Sequence, residues 1–376
     1  MPMNNLGQTS LVLFFTRGMS LKTWGDIGLI DREVSLYQSL RPYMQNIKFV
    51  TYGDASDLCY ADRVKDIHVI CNRWGLPEQW YTSLLTRLYP ILWRGGHTIV
   101  KSNQVEGAEI ALKVAQRFGI KFLARCGYLP SNIYSLRYGK DSPESQEAKQ
   151  LESTVFHAAD CVVITTSAMY QTLIERYGIK RNKLRIVPNY VDMQRFKPFT
   201  DSREPNLLCY IGRLEKGKNV HALLDAIYGL DVKLVVIGGG NLKGELMTKV
   251  KEKRLNVDFL GNVPHNELPA YLNRASLFIL PSYMEHHPKS LLEAMACSLP
   301  VIGTDVPGIR ELIHHRETGY LCGTSSKEIR DAIKDVLSNA NLCNYMGKNA
   351  RDFVKEHFAL ERIVDMELTL LHELAK

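Results

Sequence analysis

Apolar positions in this chain fall into two series of short runs, with stretches of helical spacing between them. In the first half the runs are "LVLFF" (11–15), "IKFVTYG" (47–53), "DIHVIC" (66–71), "HTIVKSN" (97–103), "IKFLARCG" (120–127) and "CVVITTS" (161–167). They are β-branched or aromatic, and intervening segments such as "DREVSLYQSLRPYM" (31–44) and "GAEIALKVAQRFG" (107–119) predict helices. In the second half the predicted strands are "NLLCYIG" (206–212), "VKLVVIGGG" (232–240), "VDFLG" (257–261), "LFILPS" (277–282) and "LPVIGTD" (299–305). Helices are predicted between them at "VHALLDAIYG" (220–229), "NLKGELMTKVKEKR" (241–254), "NELPAYLNRA" (266–275) and "SLLEAMAC" (290–297). Strand and helix alternating twice over predict an α/β chain of two parallel-sheet domains. The segment "RIVPNYVDMQRFKPFTDSREP" (185–205), rich in proline and charge, reads as their connection. Open parallel sheets bind ligands beyond the carboxyl ends of their strands, so candidate chemistry is sought there.

"GRLEKGKN" (212–219) offers Arg213, Lys216 and Lys218. A forked guanidinium beside a point-charge ammonium suits a diphosphate, although alone the segment equally describes an exposed basic turn. The glycines 238–240 permit close backbone approach, but taken alone they describe a tight turn. "EHHPKSLLEAMA" (285–296) places Glu285 and Glu293 eight positions apart. Ser290-x-x-Glu293 matches a capping box, which would make Glu293 a helix cap and Glu285 a polar loop residue. A metal site is rejected, because adjacent Glu285, His286 and His287 rarely converge on one ion and no H-E-x-x-H spacing exists. Gly308 and Glu311 follow the next strand. Four of the five predicted strand ends in this half thus carry glycines, cations or carboxylates suited to a sugar and a diphosphate.

Taken in order, these segments resemble the donor half of glycosyltransferase family 4, the retaining, nucleotide-sugar-dependent enzymes of the GT-B fold. The resemblance rests on "ADCVVITTS" (159–167), "LRIVPNYVDMQRFKP" (184–198), "GRLEKGKN", "LVVIGGGNLKGEL" (234–246), "VDFLGNVPHNELPAYLNRASLFILPS" (257–282) and "EHHPKSLLEAMACSLPVIGTDVPGIRELI" (285–313). The family's E-x7-E pattern falls on Glu285 and Glu293. The resemblance implies two Rossmann-like domains facing each other across a cleft. They would comprise an acceptor-binding domain over 1–188, a donor-binding domain over 189–355, and a closing helix over 356–376 that crosses back to the first domain. It implies that Arg213 and Lys218 neutralise the leaving diphosphate, and that Glu285 meets the donor sugar beside the reacting carbon. Glu293 would take the ribose hydroxyls. Backbone N–H groups of the loop formed by His286, His287, Pro288 and Lys289 would cradle sugar and phosphate, with Gly212, Gly238 and Gly18 along the donor site. Gly25, Asn103 and Arg125 are the acceptor-side candidates, together with Gln104. No metal or other cofactor is implied, since Arg and Lys do what a divalent ion would do.

The chain departs from the family at two places. The common E-G-F-G loop reads E-H-H-P, so His286 replaces a glycine and reshapes the donor pocket. Where members often carry an active-site histidine this chain reads "FLARCGY" (122–128), leaving open whether Arg125 or Cys126 stands in for it. The expected reaction is sugar transfer from a nucleotide sugar to a hydroxyl of a glycan or lipid-linked acceptor, in cell-surface polysaccharide or glycolipid synthesis. The alternatives are a GT-B relative with other chemistry (phosphorylase or epimerase) and a non-catalytic sugar-nucleotide-binding protein.

Charge adds an asymmetry. Residues 1–200 carry 25 Lys and Arg against 17 Asp and Glu, while residues 201–376 carry 22 against 23. The basic half reads either as a solubilising surface or as one that meets an anionic acceptor or an acidic membrane face. Nucleic acid is not expected, for want of a binding motif. Trp80, Leu84, Leu88 and Trp93 recur near helical spacing, which describes a core stripe or a helix lying on a membrane. Eight scattered cysteines without C-x-x-C spacing predict free thiols, and "LVLFF" is too short for a signal or span. The expected location is cytoplasmic, with peripheral contact at the inner face of the membrane as an extension.

Overall fold

The computed structural model describes residues 6–87, 97–199 and 203–376. The chain divides into two compact units, Met1–Val187 with Ile363–Lys376, and Pro188–Arg362. Each is built on one wholly parallel sheet, as the doubled alternation predicts.

The first unit holds β1 (Thr9–Phe14), β2 (Asn46–Val50), β3 (His68–Ile70), β4 (His97–Ser102), β5 (Lys121–Cys126), β6 (Cys161–Ile164) and β7 (Leu184–Ile186), in spatial order β3-β2-β1-β4-β5-β6-β7. β1 and β6 are buried along their whole length. A parallel sheet covered by helices on both faces demands this, and it explains why these segments read as continuous apolar runs. The helix Ala108–Phe118 covers one face with Ile110, Ala111 and Val114 against Val12, Val100 and Phe122. The helix Glu78–Arg87 turns Tyr81 and Leu85 inward, and the Tyr81 hydroxyl donates to the carbonyls of Thr51 (3.0 Å) and Ile70 (3.1 Å). Of the two readings of the aromatic stripe, the core one is therefore displaced by one position. Trp80 is 70% exposed, Leu84 is half-buried, and Leu88 and Trp93 lie outside the described residues.

The last helix, Leu360–Ala375, supplies Ile363, Leu368, Leu370 and Leu371 to the burial of this unit. It also carries Glu367, whose Oε1 accepts a hydrogen bond from Lys101 Nζ of β4 at 2.7 Å, both side chains being 1% exposed or less. The ammonium lies 5.6 Å from the Tyr37 ring. Burial lowers the Lys101 pKa, and Glu367 opposes that shift.

The second unit holds β8 (Leu207–Ile211), β9 (Lys233–Ile237), β10 (Val257–Gly261), β11 (Leu277–Leu280), β12 (Val301–Thr304) and β13 (Tyr320–Cys322), in spatial order β10-β9-β8-β11-β12-β13. β8, β11 and β12 are wholly buried. Strand order reverses between β8 and β11, and between β1 and β4 in the first unit. At such points neighbouring loops diverge and leave a crevice at the strand ends. Among the described residues no helix is long and apolar enough to cross a membrane.

Removing one member of a desolvated ion pair strands the other, which costs about 3–5 kcal/mol, whereas an apolar replacement of both costs far less. Lys101→Met should therefore destabilise the first unit by roughly that amount. Lys101→Met with Glu367→Leu should recover most of it. All four tryptophans fall within the first 187 residues, so their fluorescence during urea unfolding reports this unit. Equal loss in the single and double variants would contradict the account.

Candidate active site

The two strands flanking the switch point of the second sheet supply the central contact. Beyond β8 the chain turns through 216–218 and brings Lys218 inward; beyond β11 it carries Ser282 and Glu285. Lys218 Nζ donates to Glu285 Oε1 at 2.5 Å, and Ser282 Oγ donates to the same oxygen at 2.7 Å. The loops are tied by backbone as well, through Tyr283 N–H to the Gly217 carbonyl at 2.9 Å. Asn219, in the left-handed region at φ 53°, donates from Nδ2 to the carbonyls of Pro281 (3.0 Å) and Thr324 (2.9 Å). Thr304 Oγ1 donates to the Ser282 carbonyl at 2.5 Å. Three strand ends thus hold one carboxylate in place. Lys218 keeps donor capacity beyond Glu285, since an ammonium has three N–H groups.

Glycines set the spacing of these loops. A Cβ on Gly238 (φ 130°) would fall 2.1 Å from the Gly212 carbonyl oxygen, and one on Gly308 would fall 2.1 Å from that of His286. Only glycine allows such approach of loop to loop. The cluster 238–240 does not itself open a helix, because the following helix begins at Lys243.

The helix Lys289–Ala296 departs from the capping-box reading. Its N-cap is Pro288 rather than Ser290, with no side-chain cap. Glu293 is buried and accepts from His265 Nε2 at 2.8 Å through Oε1, while Oε2 has no hydrogen-bond partner among the described residues. The expected cradle also needs correction at one position. Pro288 has no N–H to give, and the His287 side chain is buried with its ring edge-on to Phe358 at 5.1 Å. The His287 carbonyl accepts from Asn189 Nδ2 at 2.7 Å. The N–H groups of His286, His287 and Lys289 are the ones such a cradle could use, and Lys289 Nζ lies 5.6 Å from the Tyr190 ring.

Arg213 stands apart from the Lys218–Glu285 group. Its side chain is 63% exposed and paired with Glu215 at 3.2 Å. The remaining candidates belong to the first unit. Asn103 Nδ2 donates to Thr16 Oγ1 at 3.1 Å, bridging the loops after β4 and β1 at that sheet's switch point. Gln104 Oε1 accepts from Gly127 N–H at 2.8 Å, and half-buried Arg125 lies within β5 beside Gly127. Cys126 is buried, its thiol donates to the Tyr128 carbonyl at 3.0 Å, and burial pushes its pKa well up. Gly18 (φ 74°) lies in an open turn with free space around it, whereas Gly25 sits inside the short helix Leu21–Asp26, where a Cβ would meet the Tyr60 ring at 2.4 Å. Packing accounts for Gly25 without an acceptor.

The sequence reading missed Asn219, Ser282 and His265. An asparagine closing a basic turn was a usable signal, because Asn tolerates the left-handed region. Among the described residues no three His, Cys, Asp or Glu gather as a metal site would require.

Residues 192–353 match the family model "Glycosyl transferases group 1", and residues 44–195 match "Glycosyltransferase Family 4". Similar curated proteins include N-acetyl-alpha-D-glucosaminyl L-malate synthase of Bacillus anthracis, 27% identical over 84% of this chain and 91% of that protein. Another is N-acetylgalactosamine-N,N'-diacetylbacillosaminyl-diphospho-undecaprenol 4-alpha-N-acetylgalactosaminyltransferase of Campylobacter jejuni, 32% identical over 50% of this chain and 53% of that one. Sucrose-phosphate synthase of Thermosynechococcus elongatus has a similar fold, with a TM-score of 0.79, 20% identity, and coverage of 97% of this chain and 99% of the other. So has Anabaena HepE in complex with UDP and glucose, with a TM-score of 0.77, 17% identity, and coverage of 96% and 99%. The fold is that of the GT-B glycosyltransferases.

His286, which follows Glu285, has its pKa pushed down to about 4 by burial, against the opposing pull of Glu285. The unfolded chain therefore binds a proton that the fold refuses between about pH 6.5 and 4. Stability should be insensitive to this group above that window and fall as pH falls through it. His286→Gln should flatten that part of a plot of unfolding midpoint against pH; an unchanged slope would assign the acid sensitivity elsewhere.

Proposed function

We propose that this chain, a glycosyltransferase by its two family matches, moves a sugar from a nucleotide-sugar donor to a hydroxyl of a glycan or lipid-linked acceptor, with the anomeric configuration retained. The observation that carries this reading is the Lys218–Glu285–Ser282 contact at the switch point of the second sheet. Departure of a nucleoside diphosphate leaves negative charge on phosphate and positive charge on the anomeric carbon. A fixed ammonium beside a fixed carboxylate serves both ends of that separation, and neither has to reorganise as the charge develops. Ser282 holds the carboxylate while Lys218 turns its remaining N–H groups to phosphate oxygens. The short helix Lys289–Ala296 adds its positive end next to this group. In this reading Arg213 leaves Glu215 to join the diphosphate when donor binds, and no metal is required. Glu293 supports the assignment, because a buried carboxylate oxygen without a donor is costly and a ribose hydroxyl would satisfy it.

The test is turnover of a panel of nucleotide sugars with glycan and polyprenyl-phosphate-linked acceptors, followed by release of nucleoside diphosphate. Lys218→Ala and Glu285→Gln should each lower kcat by roughly 10²–10³-fold, as loss of a charge-stabilising contact does. NMR of the product should show the anomeric configuration of the donor. Inversion would overturn the retaining mechanism, and sugar release that depends on added orthophosphate would favour a phosphorylase instead.

A further inference from the structure

Behind Glu293 lies a chain of polar groups, buried at His265 and half-buried at Arg195, that the proposed reaction does not yet use. His265, in the loop after β10, is 5% exposed and packs beside the Phe196 ring at 5.0 Å between centroids. Its Nε2 faces Glu293 Oε1 at 2.8 Å, and its Nδ1 faces a guanidinium N–H of Arg195 at 3.2 Å. Arg195 lies in a turn organised by Asp192, whose Oδ1 accepts the N–H groups of Gln194 (2.9 Å) and Arg195 (3.1 Å). Arginine can only donate, so Nδ1 is the acceptor and the ring hydrogen sits on Nε2, pointing at the carboxylate. The tautomer is fixed by the arginine, and Phe196 packs beside the ring. The imidazole therefore grips one oxygen of Glu293 and leaves the other, Oε2, buried without a partner among the described residues.

We infer that His265 is a positioning residue for donor recognition: by holding Glu293 Oε1 it presents Oε2 to a hydroxyl of the donor's ribose. This rests on the donor-site reading of Glu293 given above. A carboxylate with neither oxygen held would swing between rotamers and meet the ribose only part of the time. Arg195 and His265 remove that freedom before the ligand arrives, which is where preorganisation gains affinity. Glutamine at 265 places an amide N–H near the position of Nε2, whereas leucine fills the space and offers nothing.

The experiment is calorimetric titration of UDP, GDP and ADP, and of the 2′-deoxy and 3′-deoxy forms of whichever binds. The proteins are the full chain and its His265→Leu, His265→Gln and Arg195→Leu variants, with circular dichroism confirming the fold of each. The expected result is that His265→Leu binds the ribonucleotide about tenfold or more weakly, as loss of a charge-assisted contact implies. It should lose the preference for ribose over the deoxy forms, and His265→Gln should restore most of both. With the matching nucleotide sugar, the donor KM should rise in His265→Leu while kcat changes little. A folded His265→Leu that binds and discriminates like the wild type overturns the inference and leaves the donor site standing. If none of the three diphosphates binds the wild type, the donor-site reading falls and the inference with it. Should His265→Leu fail to fold, Arg195→Leu decides. It keeps the imidazole but frees Nδ1, so weakened binding and discrimination support the inference, and unchanged values overturn it.

Discussion

A strand in a parallel sheet cannot turn straight back into its neighbour; it must cross over through a helix and start again from the same end. That constraint brings every strand-to-helix loop of a unit to one edge of its sheet. In the second unit the loops after β8, β11 and β12 meet there, and Lys218, Glu285 and Ser282 come into contact although the first two are 67 positions apart. The glycines are a second consequence. Loops crowded onto one edge approach backbone to backbone, and Gly238, Gly240 and Gly308 are positions where a side chain would run into another loop's backbone.

Much of the fold was legible because buried parallel strands are uninterrupted apolar runs, which are hard to mistake at "LVLFF" or "LFILPS". The site was legible only as a set of residue types at strand ends. Which cation would meet which carboxylate depends on strand order, and strand order is a long-range property that no local pattern encodes. Arg213 and Lys218 look equivalent in sequence, yet one is exposed beside Glu215 and the other is turned onto Glu285. The capping-box pattern at Ser290 and Glu293 misled for a related reason. A glutamate at that spacing can serve a helix terminus or face inward, and the choice is made by His265, which lies 28 positions away. The core reading of the aromatic stripe failed more simply. Trp80 and Tyr81 are adjacent, and tertiary packing buried the one whose hydroxyl could reach two carbonyls.

The two carboxylates at the ends of the E-x7-E pattern are handled differently by the protein. Glu285 is met by an ammonium and a hydroxyl on one oxygen, a setting that balances its charge. Glu293 is met by an imidazole whose far nitrogen is occupied by an arginine, a setting that fixes direction instead of charge. One arrangement balances the charge of a carboxylate, and the other keeps its direction.

The buried contact between Lys101 and Glu367 has a consequence for synthesis on the ribosome. A nascent chain emerges from its N-terminus, and domains commonly fold as they appear. Here the first unit lacks its last fourteen residues until the entire second unit has been made, because Ile363–Lys376 completes it. Until then Lys101 faces a site without its counter-charge, and the apolar surface that the last helix covers stays open. The second unit, continuous from Pro188 to Arg362, has no such wait. The order of translation and the order of completion are therefore reversed in this protein: the part made first is finished last.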